Sequence, residues 1–167
     1  MNGSFNFLTH LIGFSLLSGL MFSGFVLNRR FASEKDPAIR MYLGGIMRKL
    51  GMLSPIPAAI LLVTGIGNIH NLYMESPDPW YTFGWLVAKI IVFAIMLVNG
   101  TFLGPALGKK RMMLVKAVVE KTAPDNAEEQ ITGYNRQMST FYLVQFLFLL
   151  AILYLTTFGT GKHPGMF

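Results

Sequence analysis

The chain has 167 residues, of which 53% are apolar, 13% are charged and none is cysteine. Soluble globular proteins carry about a quarter of charged residues, so a chain this poor in charge must face lipid over much of its surface. The missing cysteines exclude disulfides, thiolate metal sites and iron–sulfur clusters. The net charge of +6 could indicate nucleic-acid binding, but membrane topology explains where the basic residues lie.

Four apolar stretches are long enough to cross a bilayer, which takes about 20 residues in helical form. Lipid offers the backbone no hydrogen-bond partners and four strands cannot close a barrel, so these stretches must be helices. The sequence therefore predicts an all-α, single-domain, integral membrane four-helix bundle. The predicted spans lie near residues 5–27, 50–69, 83–103 and 140–158.

Positive charge is confined to two of the segments between the spans. Residues 28–49 and 104–139 together hold twelve of the fourteen Lys and Arg residues, whereas residues 70–82 hold none. The positive-inside rule places both basic segments in the cytoplasm, and hence the N- and C-termini on the outer face. We therefore expect a multi-pass protein of the cell inner (cytoplasmic) membrane, whose basic residues meet anionic lipid rather than nucleic acid. A short surface helix is predicted near residues 109–121, ahead of a turn at 123–126.

Ionisable side chains inside a span are costly in lipid, so each is a candidate functional residue. Two lie well inside predicted spans, His10 and Lys89, each about two turns from the outer end of its helix. His70, at the outer end of the second span, and His163, in the C-terminal tail, are on the same side. We expect these four residues to share the outer half of the molecule.

The residue types leave two interpretations open. A neutral imidazole such as that of His10 is a good axial ligand for heme iron, and a four-helix bundle can bury a porphyrin between facing helices. The same imidazole could instead only hydrogen-bond a neighbouring helix. Lys89 could pair with a porphyrin propionate, ligate the iron or move a proton, or it could extend to the membrane interface without a chemical role.

Other polar and small residues favour helix packing. Uncharged amides within the spans are expected to form hydrogen bonds between helices: Asn68, Asn99 and Gln145. Small residues four apart in the first span would let another helix approach closely: Ser15, Gly19 and Ser23. The 11 Met residues do not cluster with His at metal-binding spacing, so a copper site is the weaker alternative.

Several short motifs resemble the HemJ-type membrane protoporphyrinogen IX oxidases, and together they cover most of the chain. In chain order they are Thr9-His10 with Gly19 and Gly24, Gly51-Met52-Leu53-Ser54-Pro55 with Thr64-Gly65, Gly84-Trp85-Leu86-Val87-Ala88-Lys89, and Tyr134-Asn135. The first-helix pattern is also similar to that of copper-resistance-type membrane proteins. Two positions depart from the family pattern: Leu50 stands where the family has an arginine, and Asn99 lies where it has a histidine.

The resemblance implies a heme b protein in which His10 is an axial ligand of the metal and Lys89 is the paired catalytic residue. His70 is a candidate second ligand because it lies on the same side. The implied activity is oxidation of protoporphyrinogen IX to protoporphyrin IX. Three alternatives are another redox role with the same cofactor, a non-enzymatic structural or anchoring subunit of a larger membrane complex, and a copper-type metal transport protein. Besides membrane lipid, the expected partners are other membrane subunits or further copies of the chain in a homo-oligomer.

Overall fold

The computed structural model describes residues 3–73 and 76–159. This part of the chain folds into α-helices, which are α1 (Gly3–Ser33), α2 (Pro37–Leu53), α3 (Pro55–Tyr73), α4 (Gly84–Val98), α5 (Gly104–Val119) and α6 (Ala127–Phe158). A 3₁₀ turn at Trp80–Thr82 precedes α4, and a π-helical segment at Asn99–Leu103 joins α4 to α5.

These helices make four rods that are long and apolar enough to cross a membrane: Gly3–Ser33, Pro37–Asn71, Gly84–Val119 and Ala127–Phe158. The predicted all-α membrane bundle is thereby confirmed, while its orientation stays a prediction. At 1.5 Å per residue each rod measures about 45 Å or more, which exceeds the hydrocarbon thickness of about 30 Å. We call the end where α1 turns into α2 and α5 turns into α6 the basic end, because both basic segments lie there.

The observed helices extend well into the segments predicted to be loops. α2 begins at Pro37, where the Asp36 carboxylate accepts the Ala38 N–H at 2.8 Å and caps the helix. Proline suits the first helical position because the missing N–H would have no partner there. α6 likewise begins at Ala127 rather than near residue 140, and the predicted surface helix near 109–121 is part of α5, which runs on from α4 through the π segment.

The reason for these extensions is a hydrophobic core at the basic end. Phe31, Leu43, Val115 and Ile131 come from four different helices and are buried against one another. An ion pair between Arg40 and Glu128 adds a further contact between α2 and α6, at 2.8 and 3.0 Å. Burying an amphipathic face stabilises a helix even where its mean hydropathy is too low for a membrane span.

The membrane half has a second core, formed by Leu17, Leu61 and Met96. α1 packs mainly on α3 and also on α2 and α6, while α6 packs on α4 and α5. At the basic end α2 packs on α5, whereas α3 and α4 meet only sparsely. The bundle is therefore closed at the basic end and loosely packed between α3 and α4.

The α2–α3 rod is interrupted at Ser54. Pro55 has no N–H to donate to the preceding turn, and the Ser54 hydroxyl donates to the Gly51 carbonyl at 2.7 Å. Pro55 and Pro57 thus mark the beginning of α3, whose first residue is Pro55.

Candidate functional site

The candidate site lies where α1 crosses α3. Asn6, His10, Gly13 and Leu17 recur every three or four residues, so they share one face of α1. Asn6, Gly13 and Leu17 are buried on that face. A Cβ atom at Gly13 would come within 2.8 Å of Ile60 Cγ2, so only glycine permits the two helices to approach this closely.

His10 is held by a threonine of α3. Its Nδ1 lies 2.8 Å from Oγ1 of Thr64, which is 3% exposed. The Thr64 hydroxyl donates its own proton to the Ile60 carbonyl at 2.5 Å, so its oxygen must accept the proton of His10 Nδ1. We therefore assign the neutral tautomer with the proton on Nδ1, which leaves the lone pair of Nε2 free to bind a metal.

A buried asparagine fixes the turn of α3 that carries this threonine. Asn6 Nδ2 donates to the Thr64 carbonyl at 2.9 Å and to Oδ1 of Asn68 at 2.6 Å. Gly67 lies directly beneath the Asn6 amide, where a Cβ atom would come within 3.0 Å of it. The predicted hydrogen bond of Asn68 to another helix is present, and its partner is on the same face of α1 as His10.

Lys89 lies on α4 and is half-buried. Its Nζ lies 5.2 Å from the centroid of the Trp85 ring, one turn earlier, where the aromatic face attracts the ammonium group. The charge of Lys89 also acts electrostatically on His10. The two ionisable residues inside the spans therefore lie in the same region of the bundle.

His70 is not part of this arrangement. It lies six residues after Thr64, about 9 Å further along α3. There it lines a separate apolar cavity of 270 Å³ with Ile66, Ile69, Tyr73 and Trp80. His163 lies outside the described residues.

The donor set suits a heme better than a bare metal ion. Within residues 3–73 and 76–159, no three His, Asp or Glu side chains are grouped so that they could hold a metal. A free ion at His10 would have too few protein ligands. Heme iron receives most of its ligands from the porphyrin and needs only an axial one from the protein, which the Nε2 atom of His10 can supply.

The sequence alone does not identify Thr64 as the partner of His10, although part of the signal is visible. Asn6 precedes His10 by four residues and Thr64 precedes Asn68 by four, so each pair shares one face of its helix. Which face of α1 meets which face of α3 follows from packing, and that is not encoded in the spacing.

A second polar cluster lies at the basic end, around Arg111 of α5. The charge pattern predicts Arg111 on an exposed surface helix, but the structure buries this residue to 2% exposure. Its Nη1 donates to Oδ1 of Asn28 at 2.7 Å and of Asn135 at 3.1 Å, and its guanidinium lies 3.9 Å from the ring centroid of Phe31. These contacts tie α1, α5 and α6 together, and they involve Asn135 of the Tyr134-Asn135 motif.

Comparison of the chain with protein-family models, with curated proteins and with solved structures gives no match.

Proposed function

We propose that this protein is a membrane heme b-binding redox protein, with His10 as an axial ligand of the iron. The observation that supports this most strongly is the hydrogen bond between His10 Nδ1 and Thr64. Metal-binding histidines almost always donate their second ring N–H to a neighbouring group, which fixes the tautomer and the ring orientation. In this chain His10 Nδ1 donates such a hydrogen bond to Thr64 Oγ1, so the lone pair of Nε2 is available to bind iron.

A small residue of α3 lies beside His10. A Cβ atom at Gly65 would be 3.7 Å from His10 Cε1, an ordinary van der Waals distance, so no side chain of this residue covers the imidazole. α3 and α4, which carry Thr64 and Lys89, pack sparsely on each other, so a ligand between them would displace few contacts. The positive charge of Lys89, close to His10, would stabilise a propionate carboxylate in a medium of low dielectric constant.

In this proposal three residues have separate roles in heme binding. His10 would hold the iron, Thr64 orients the imidazole through their hydrogen bond, and Lys89 would supply positive charge or a proton. A bound heme b supplies one-electron chemistry at its iron. The oxidation of protoporphyrinogen IX, suggested by the resemblance to the HemJ-type oxidases, is the first activity to assay once bound heme is established.

The test compares the heme content of purified variants with that of the native protein. His10→Ala should lose most of its bound heme, because no other imidazole in the described structure shares its site. His70→Ala is the matched control, since this histidine lies in a separate cavity, and it should retain heme. Full heme retention by His10→Ala, in a protein that still inserts into the membrane, would remove His10 as an essential ligand.

Lys89→Met tests the second residue. We expect it to bind heme with a changed reduction potential, since removing a nearby positive charge favours the oxidised iron. Unchanged potential and activity, with only a lower yield of protein, would make Lys89 structural.

One observation favours a second function, that of a non-enzymatic subunit in a larger membrane complex. Ser15, Gly19 and Ser23 face outward from the bundle, and no atom lies within 4 Å of the position a Cβ would take at Gly19. They are therefore available to a helix of another chain. A protein that is purified without heme but with a fixed membrane partner would establish this function instead.

A further inference from the structure

A groove on the side of the bundle lies between α6 and the rod formed by α4 and α5. Its volume is 370 Å³. Its lining includes Asn99, Leu103, Leu107, Arg136, Phe141 and Val144. None of the residues of the His10 site lines it, so the two sites are distinct.

The groove runs alongside the π-helical segment Asn99–Leu103. One-turn π segments within α-helices are rare and occur frequently at functional sites. Gly104 follows this segment directly and faces the ring of Phe141, since a Cβ atom at this glycine would come within 2.8 Å of Phe141 Cζ. The Phe141 ring therefore packs directly against the helix backbone at Gly104, which has no side chain, and the ring forms part of the groove wall.

The groove is polar at one end and apolar along its walls. Arg136 lies about 33 Å along α6 from Phe158, close to the hydrocarbon thickness of a bilayer. With α6 crossing the membrane, its guanidinium is at the depth of the lipid headgroups at the basic end. Leu103, Phe141 and Val144 line the part that reaches into the hydrocarbon.

The charge of Arg136 is available for a ligand. The ion pairs in the described part of the chain join Arg30 to Glu34, Arg40 to Glu128 and Lys116 to Glu120, and none of them includes Arg136. Arg136 is exposed, and Lys110, one turn beyond Leu107 on α5, adds a second exposed positive charge near this end.

We propose that this groove is a binding site for one anionic phospholipid from the leaflet at the basic end. The Arg136 guanidinium binds the lipid phosphate with paired N–H donors, a geometry for which arginine is well suited. An acyl chain lies along Leu103, Phe141 and Val144. Basic pockets between membrane helices at the cytoplasmic surface are known sites for acidic headgroups. The proposal does not depend on heme binding.

Native mass spectrometry of the detergent-purified protein, titrated separately with phosphatidylglycerol and phosphatidylcholine, tests the site. The native protein should bind one phosphatidylglycerol about tenfold more tightly than phosphatidylcholine, and Arg136→Gln should abolish that preference. Arg48→Gln is the matched control, because it removes the same charge from an exposed position on α2, at the same end. It should leave the preference intact.

A second pair of variants tests the walls of the groove. Leu103→Trp fills the groove and should weaken binding of both lipids, whereas Phe102→Trp, at an exposed position next to it that does not line the groove, should not. If Arg136→Gln and Arg48→Gln weakened phosphatidylglycerol binding equally, the lipid would be attracted by the general positive charge of this surface and not by the groove. That result would overturn the proposal. Displacement of the lipid by inorganic phosphate would assign the site to a soluble anion and overturn it as well.

Discussion

Replacing Thr64 by valine removes the hydroxyl that holds His10 and changes little else in shape. The bond from His10 Nδ1 to Thr64 is 2.8 Å long and lies in a part of the interface where Thr64 is 3% exposed, so water cannot readily replace the lost acceptor. Loss of a hydrogen bond to a metal-binding histidine typically lowers metal affinity about 10- to 100-fold. This corresponds to about 1.4–2.7 kcal/mol of binding free energy.

Heme titration of the heme-free protein in detergent, followed by the Soret absorption band, measures this change. Thr64→Val should weaken heme binding by about 10- to 100-fold, and Thr64→Ser should restore most of the affinity because it keeps an acceptor oxygen. Thr9→Val is the matched control. Thr9 is next to His10, but its hydroxyl donates to the Phe5 carbonyl of its own helix, at 2.9 Å. Native affinity in Thr64→Val, or an equal loss in Thr9→Val, would refute the role of Thr64.

Three further predictions concern the fold and are measured as free energies of unfolding. Gly13→Ala should destabilise the protein by about 1–3 kcal/mol by overpacking the α1–α3 contact, whereas Gly19→Ala, in open space, should be neutral or stabilising; equal effects would contradict the observed packing. Asn28→Ala should lower the free energy of unfolding by about 2 kcal/mol, because it removes a buried 2.7 Å hydrogen bond to the charged Arg111. A decrease below about 0.5 kcal/mol would show that this hydrogen bond contributes little to stability. The N–H groups of Asp36 and Lys35 lower the pKa of Glu34 in the folded protein. The ionised Glu34 therefore contributes to the free energy of unfolding above the unfolded pKa of 4.5, and this contribution is lost as the pH falls through the lower pKa of the folded state. Glu34→Gln should therefore flatten the decline in stability below pH 4.5, and an unchanged decline would contradict this assignment.

The membrane-crossing part of the fold could be predicted from hydropathy, and the basic end could not. Long apolar runs are sufficient to identify spans, because lipid requires them. α2 and α5 instead depend on a core shared by four helices, in which Phe31 and Val115 are fully buried. Arg111 shows the limit most clearly, since a basic residue in a basic segment is expected to be exposed. Its burial depends on the amides of Asn28 and Asn135 and on the ring of Phe31, which are distant from it in sequence.

The candidate site was partly predictable for a similar physical reason. His10 and Lys89 stand out because ionisable residues are rare within spans. In the sequence Thr64 is marked only by the Thr64-Gly65 motif, because its role as the partner of His10 depends on the register between α1 and α3. Membrane depth alone groups His70 with His10, but depth does not distinguish the faces of a helix.

The central claim is tested most directly by the absorption spectrum of the purified protein, before and after reduction with dithionite. The protein should be produced in cells supplied with ample heme. Bound heme b predicts a Soret band that shifts on reduction, together with sharp bands at longer wavelength. A colourless protein would contradict the heme proposal and leave the anchoring subunit as the better account of the bundle.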